Sequence, residues 1–191
     1  MKRLTLFALL LALVTSMASA QATNWSVDPA HSNVEFSIKH MGLSNVHGRF
    51  GRVSGTIVYN PADVEKSSVN VSIDLTGIDT GMAPRDNHLK SDSFFDVAKY
   101  TSATFVSTSV AKDGSGLKVT GNLTLHGVTK PVVLSVEAPA TAVSPMDHKQ
   151  HSGFNATASI NRKDFNIGST FPEAIVGDDV KLTIEVEAVQ Q

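Results

Sequence analysis

The sequence contains no cysteine, and its basic residues do not outnumber its acidic ones. Without cysteine among 191 residues, the chain forms no disulfide, so its stability must come from burial and from the hydrogen bonds of its sheet. The 16 lysines and arginines face 18 aspartates and glutamates. This balance gives no indication of nucleic-acid binding, which favours clustered positive charge.

The motifs of common catalytic and metal sites are also missing. The sequence has neither a GxSxG nucleophile motif nor an HExxH zinc motif. Of the seven histidines, His148 and His151 are close together but lie in a polar segment, and His31 and His40 need not face each other. We therefore expect solvated or hydrogen-bonded histidines, with no metal ion and no cofactor.

Long apolar runs are confined to the first residues. Lys2 and Arg3 precede the apolar run 4–14, and Ala18-Ser19-Ala20 resembles a cleavage site, which together indicate a signal peptide at 1–20. The alternative is an uncleaved anchor, although this run is short for a ~30 Å hydrocarbon core. Removing two basic residues leaves 14 − 18 = −4 for residues 21–191. We expect one periplasmic domain with no integral membrane segment after cleavage.

The rest of the chain is dominated by apolar residues at every second position. Such alternation predicts half-buried antiparallel strands, and turn signals such as Asn60-Pro61 and Asp113–Gly116 separate them. The pattern predicts an all-β fold, an antiparallel eight-stranded barrel, with a two-sheet sandwich as the alternative. The predicted strands cover 34–40, 52–59, 69–75, 103–111, 117–125, 132–137, 154–160 and 180–188. Residues 139–152 are predicted to form a flexible hairpin loop.

Residues 77–101 form an unusually long connection between two predicted strands. Long connections are often lids or binding loops. Pro84 suits the first turn of a helix, and Ser91 can cap another turn that carries Phe94 and Phe95. We expect one or two short helices across one end of the barrel, closed by these two phenylalanines.

Arg85, Asp86 and His88 allow two interpretations. They could form acid–base pairs of an enzyme acting on a lipid or isoprenoid. They could instead fix the long connection through ion pairs and backbone hydrogen bonds, which is the interpretation we prefer; we therefore expect no catalytic residue.

Small residues on the predicted inward faces favour a cavity inside the barrel. Ala156, Ala158, Gly55 and Gly121 stand where larger aliphatic residues are usual. An eight-stranded barrel is just wide enough to be filled or to hold one ligand, so small side chains at these positions are expected to leave room.

The motifs resemble those of the YceI-like family, secreted bacterial proteins that hold a polyisoprenoid in a lipocalin-like barrel. The similarity covers nearly the whole chain after residue 20. Two departures are Asn166, where the family usually has Gly, and Thr101, where Pro is common; Asn tolerates positive φ, so we expect the turn at 166 to survive. The matching residues are Trp25, Asp28-Pro29, His31-Ser32, Phe36, Lys39-His40-Met41, Gly48, Phe50, Arg85-Asp86, His88-Leu89, Asp92, Phe94-Phe95-Asp96, Gly121, Leu123-Thr124-Leu125, Gly127-Val128-Thr129, Pro131-Val132, Asn161–Phe165 and Val176–Val180.

The resemblance implies a non-catalytic binding or carrier protein for a polyisoprenoid or similar amphiphile, and homodimers. From the apolar faces and the resemblance we expect these ligand-binding residues: Phe36, Ile38, His40, Phe94, Phe95, Phe105, Leu123, Leu125, Phe154, Ala156 and Ala158. The polar residues expected at the mouth or fixing its loop are His31, Arg85, Asp86, His88 and Arg162.

Overall fold

The computed structural model describes residues 21–191, which form an all-β fold with one α-helix. The predicted signal peptide, residues 1–20, lies outside them. None of the helices in this described part is long and apolar enough to span a membrane. The strands are β1 (Thr23–Val27), β2 (Asn33–His40), β3 (Ser44–Arg49), β4 (Val53–Tyr59), β5 (Ser68–Asp74), β6 (Ser102–Asp113), β7 (Gly116–Leu125), β8 (Val128–Val136), β9 (Ala140–Val143), β10 (Gln150–Gly153), β11 (Ala156–Asn161), β12 (Val176–Glu185) and β13 (Glu187–Gln190), and the helix is α1 (Ala83–Lys90).

All thirteen strands belong to one antiparallel sheet, which curls into a half-barrel. Its order is β3-β2-β12-β11-β8-β7-β6-β5-β4-β1-β13-β10-β9. Some strands that are consecutive in the chain are separated by a short break and pair with different neighbours. Strand β12 pairs with β2 and β11. Strand β13, separated from β12 by Val186 alone, pairs with β1 and β10. The sheet therefore bends sharply at the breaks between such strands.

The strand count differs from the eight predicted, and these bends are the main reason. The single strand predicted at 180–188 is divided by Val186 into β12 and β13. The strands β1 and β3 were not predicted, because their sequences show little apolar alternation. The hairpin predicted at 139–152 is present, but its two arms form regular strands, β9 and β10, which pair through Thr141 and Ser152.

Alternation along the strands places the apolar side chains on the concave face. In β7, Leu117, Val119, Leu123 and Leu125 are buried, whereas Lys118 points to solvent. Each such burial contributes ~1.5–3 kcal/mol before the loss of conformational entropy is counted. This alternation was correctly read from the sequence, and it gives the sheet its apolar interior.

A two-residue turn joins β7 to β8. His126 and Gly127 have φ values of 51° and 74°, the left-handed conformations of a type I′ turn, which suits the twist of a hairpin. Leu125 therefore pairs directly with Val128.

The long connection 77–101 covers one end of the sheet, as predicted, and carries the one α-helix. Pro84 lies in the first turn of α1, where its missing N–H is not needed. Phe94 and Phe95 follow the helix and are buried in the main apolar cluster. The last residue of the connection, Thr101, accepts a hydrogen bond of 2.9 Å at its carbonyl from the Leu75 N–H, next to the end of β5.

The interior contains two apolar clusters that share neighbours. The larger includes Leu75 and Phe165 near the helix-covered end. The smaller surrounds Trp25 and Phe154. Residues such as Tyr59 pack against both clusters, so the interior is continuous from one end of the sheet to the other.

Candidate functional site

An apolar cavity lies inside the curled sheet, and none of its lining residues comes from the connection 77–101 that carries α1. The centre of a water-sized sphere can occupy about 110 Å³ of the cavity. The whole space between the lining atoms, including the open mouth, is about 970 Å³. The exposed surface of the cavity consists of apolar atoms. The lining residues are Val34, Val53, Ile57, Val58, Tyr59, Ser67, Val69, Val71, Ile73, Phe105, Val110, Leu117, Val119, Leu123, Val132, Leu134, Val136, Phe154, Ala156, Leu182, Ile184 and Val186.

Four of the predicted ligand-binding residues line this cavity: Phe105, Leu123, Phe154 and Ala156. They come from four different strands or strand ends, β6, β7, the β10–β11 junction and β11. The structure thus brings together residues that the sequence separates by up to about 50 positions.

The two phenylalanines expected to close one end do not line the cavity. Phe94 and Phe95 are buried, but they fill the helix-covered end together with Phe36 and Leu125, and none of these four lines the cavity. The Phe95 ring lies edge-on to Phe50, with centroids 5.7 Å apart. These side chains form a packed plug beneath the long connection, and the empty space begins beyond it.

Three further predicted residues also lie outside the lining. Ile38 and Ala158 are only half-buried, and His40, at the end of β2, is exposed. They share the inward face with Val34 and Phe36 as alternation predicts, but at His40 the strand has passed the end of the packed interior.

The predicted role of the two glycines is wrong for a geometric reason. A Cβ on Gly121 would lie 2.4 Å from the ring of Phe105, and one on Gly55 would lie 2.2 Å from the carbonyl oxygen of Asn70. Gly121 therefore makes room for an aromatic ring, and Gly55 lets two strands approach closely. Of the four small residues, Ala156 is the one that borders the cavity.

Most of the cavity wall was missed as a site, although its signal was present. Val69, Val71, Leu117 and Val119 stand on faces that the alternation marks as inward. The sequence could not tell which inward positions face empty space and which pack against other side chains, because that depends on where the plug ends.

Arg85 and Asp86 both hold Thr80, at the start of the long connection. Asp86 Oδ1 accepts hydrogen bonds from the N–H (2.8 Å) and hydroxyl (2.5 Å) of Thr80. Arg85 donates from Nε to the Thr80 hydroxyl (2.7 Å) and from Nη2 to its carbonyl oxygen (2.9 Å). These contacts fix the loop through hydrogen bonds, and the described residues supply no ion-pair partner for Arg85.

His88 packs instead of forming a hydrogen-bonded cluster with its neighbours on α1. Its ring lies edge-on to Phe94 and Phe171, with centroid distances of 5.0 and 5.7 Å. The acid–base group proposed for an enzyme is therefore not assembled: Asp86 is committed to Thr80, and His88 to aromatic contacts.

Arg162 is buried and fastens the segment that leads into β12. Nε donates to the carbonyl of Gly177 at 2.9 Å, and Nη2 donates to those of Phe171 and Val176 at 2.8 and 2.9 Å. Its Nη2 also lies 2.9 Å from Asp178 Oδ1 as an ion pair. Arg162 thus fixes a loop, as expected, but from within the protein.

The turn after Arg162 keeps the conformation expected from its asparagine. Asn166 ends a short 3₁₀ helix, Arg162–Phe165, with φ 59° and ψ 22°. Asn adopts this left-handed conformation more readily than most residues, so the replacement of the family's usual Gly is accommodated.

His31 belongs to a polar cluster on the outer face. Its Nδ1 lies 2.7 Å from Asp28 Oδ2, and His151 Nδ1 lies 2.7 Å from Glu187 Oε1. The hydrogen bond between Asp28 and His31 lowers the pKa of Asp28 and raises the pKa of His31. The pKa of His151 is raised by Glu187 and then by Asp147.

Comparison with known proteins gives consistent matches over nearly all of the described residues. Residues 25–188 match a family model described as the YceI-like domain. Protein YceI of Escherichia coli O157:H7 is 42% identical over 193 residues, covering 100% of both chains.

Solved structures match as well. BcnA of Burkholderia cenocepacia has a TM-score of 0.74 and 27% identity, covering 84% of this chain and 98% of that one. A structure described as a polyisoprenoid binding domain from Saccharophagus degradans, implicated in plant cell wall breakdown, has a TM-score of 0.60. It covers 87% of this chain and 98% of its own at 19% identity, which establishes a likeness of fold.

Proposed function

The chain belongs to the YceI-like family, and we propose that it is a periplasmic binding protein that holds a polyisoprenoid or similar long-chain amphiphile in its apolar cavity. The family resemblance read from the sequence motifs is thereby confirmed. The observation that carries the proposal is the cavity itself, whose exposed surface is apolar and whose wall receives residues from strands all around the sheet.

We further infer that the thirteen strands act as eight longer, bent strands that close a barrel around this cavity. Joining β1 to β2, β3 to β4, β8 to β9, β10 to β11 and β12 to β13 leaves eight units. Each unit then pairs with two neighbours, and the unit β12–β13 pairs back to β1–β2. A closed wall would leave a ligand no contact with water along its length.

The strength of apolar burial is sufficient for such a role without any chemistry. Removing apolar surface from water contributes ~25 cal/mol per Å². Drug-sized ligands gain ~0.3 kcal/mol per heavy atom, so a chain of roughly 30–40 carbons would gain roughly 9–12 kcal/mol, which corresponds to dissociation constants between submicromolar and nanomolar.

The arrangement of the cavity suggests how the ligand lies. The plug around Phe94 and Phe95 blocks the helix-covered end, so the apolar tail points toward it. We place the polar head group at the open mouth of the cavity, where it meets water, because the cavity surface formed by the described residues offers no exposed polar atom. The name given to the Saccharophagus degradans domain agrees with this ligand class.

The test is to fill the cavity and measure binding of a defined probe, a C40 polyprenol carrying a fluorescent label. Ala156→Leu adds bulk to a side chain that is 6% exposed and lines the cavity. We expect at least a tenfold loss of affinity with a melting temperature close to that of the unchanged protein.

The matched control is Thr157→Leu, at the neighbouring exposed position on the outer face. It should bind the probe as the unchanged protein does. Equal binding by both variants would refute the cavity as the site. Conversion of the polyprenol to a product, detected by mass spectrometry, would replace the binding proposal with an enzyme acting on the same class of substrate.

A further inference from the structure

Three carboxylates and two imidazoles meet on the outer face of the sheet, where β1, β10 and β13 lie side by side. Asp28 follows β1, His31 lies in the next loop, His151 belongs to β10 and Glu187 begins β13. Asp147 completes the cluster, with Oδ2 3.2 Å from His151 Nε2. Residues far apart in the sequence therefore form one polar group.

Three members of this cluster offer metal-ligating atoms close to a common point. One atom each from Asp28, His31 and Glu187 lie within 4.8 Å of one another. Zinc binds histidine nitrogen at ~2.0–2.1 Å and carboxylate oxygen at ~2.0–2.2 Å, so an ion between the three atoms needs only small side-chain rotations. One nitrogen and two oxygens suit a divalent ion of the zinc type.

The charge of the cluster also favours a cation. Its three carboxylates are faced by two imidazoles, and within residues 21–191 no lysine or arginine forms an ion pair with Asp28, Asp147 or Glu187. A divalent ion would supply the positive charge that no lysine or arginine in this part of the chain brings to these three carboxylates.

We propose that Asp28, His31 and Glu187 bind a divalent transition-metal ion, with Zn²⁺ as the reference ion, and that His151 positions Glu187. His151 reaches the Glu187 carboxylate from behind through the 2.7 Å contact at Oε1, the arrangement by which outer groups orient metal ligands. The side chain of His31 is 65% exposed, which leaves coordination positions for water.

The backbone holds the proposed ligands in place before any ion binds. Asp28 Oδ1 accepts a hydrogen bond of 2.8 Å from the Ala30 N–H, which leaves Oδ2 toward the site. The Asp28 N–H donates to the Glu187 carbonyl at 2.8 Å, and Ser32 Oγ exchanges hydrogen bonds with the Glu187 backbone. The two ends of the site therefore cannot drift apart.

This site is separate from the apolar cavity, although only the sheet lies between them. Val186 lines the cavity, and the next residue, Glu187, points to the outer face. Metal binding and amphiphile binding can thus be measured independently in the same protein.

The test is calorimetric titration of the full purified protein, stripped of metal by a chelator, with ZnCl₂ at pH 7.5. We expect one saturable equivalent, and we expect Co²⁺ to give a visible absorption band. His31→Ala and Glu187→Gln should each weaken Zn²⁺ binding at least tenfold and remove the Co²⁺ band. His31 is largely exposed, so its variant should keep the melting temperature of the metal-free protein.

The matched control is His148→Ala, an exposed histidine outside the cluster and three residues from His151. Its Zn²⁺ affinity should stay within twofold of the unchanged protein. Absence of saturable Zn²⁺ binding would overturn the proposal. So would an equal loss in His148→Ala, or unchanged affinity in both His31→Ala and Glu187→Gln.

Discussion

At the scale of single residues, the structure gives polar and small side chains roles that a sequence pattern leaves open. Arg162 was expected at the mouth or fixing its loop; it does fix a loop, but it is 2% exposed and donates to five backbone carbonyls within residues 167–177. A buried guanidinium is retained only when its donors are satisfied. The role of Arg162 is therefore structural.

Replacing Arg162 should lower the free energy of unfolding. Arg162→Met removes the donor of five backbone carbonyls within residues 167–177 and leaves Asp178 paired with the more exposed Lys163. Breaking a buried pair of this kind costs about 3–5 kcal/mol of unfolding free energy, measured by urea denaturation. Lys163→Met is the control: its side chain is 40% exposed, so a loss below about 1 kcal/mol is expected. Equal losses would contradict the assignment.

Gly121 offers a second test at this scale. A Cβ there would meet both the ring of Phe105, at 2.4 Å, and the backbone oxygen of Val106, at 2.7 Å. Gly121→Ala should therefore destabilise the fold by about 1–3 kcal/mol, the usual cost of overpacking. Gly153→Ala, also in a strand and with no atom within 4 Å of the added carbon, should be nearly neutral in the same denaturation experiment.

At the scale of elements, the long connection is held to the sheet by few contacts outside its apolar plug. Asp79 pairs with Arg49 through two backbone hydrogen bonds of 2.9 Å and one side-chain contact of 3.1 Å. The next residue, Thr80, forms hydrogen bonds with Arg85 and Asp86. The polar anchor of this connection is therefore concentrated at its first residues.

The stability of this anchor should depend on acidity. The Gly81 N–H, followed by the guanidinium of Arg49 and the more distant ammonium of Lys90, lowers the pKa of Asp79 below its ordinary 3.8. A carboxylate whose pKa is lowered by folding stabilises the protein above its unfolded pKa, and the contribution disappears as the pH falls through the folded value. The anchor is thus expected to weaken only below about pH 4.

The measurement is amide hydrogen exchange of residues 77–101 in the unchanged protein and in Asp79→Asn. The variant should exchange faster at pH 6, and the difference between the two proteins should vanish as the pH falls below 3.8. A difference that stays constant across this range would show that the charge of Asp79 does not contribute.

At the scale of the whole molecule, alternation was enough to predict an all-β antiparallel fold, but not its strand breaks or its cavity. The inward faces of β5 and β7 were read correctly from Val69, Val71, Leu117 and Val119. The break at Val186 escaped, since an apolar residue continuing the alternation carries no sign of a bend. The metal-type cluster escaped because Asp28 and Glu187 become neighbours only when β1 pairs with β13.

The two apolar clusters should unfold together. They share partly buried neighbours, among them Phe50, Tyr59 and Val71, so neither can lose its packing without exposing the other. Trp25, the one tryptophan, is 3% exposed in the smaller cluster. Its fluorescence and the far-ultraviolet circular dichroism should report the same urea midpoint, as in a two-state transition. Two separated midpoints would show that the halves unfold independently.

The pairing of Trp25 with Gln190 has a consequence for the timing of folding. In a chain exported with its N-terminus first, strand β1 is among the first parts of this sheet to cross the membrane, and its partner β13 is among the last. The emerging chain can form the hairpins of β5 to β8, which are local, but the seam between β1 and β13 stays open until residue 190 has crossed. Contacts so distant in sequence are also slow to form. A chain that stops a few residues short would carry an unpaired strand edge that can associate with other chains. Pairing of β13 with β1 is therefore the step that removes this aggregation-prone edge.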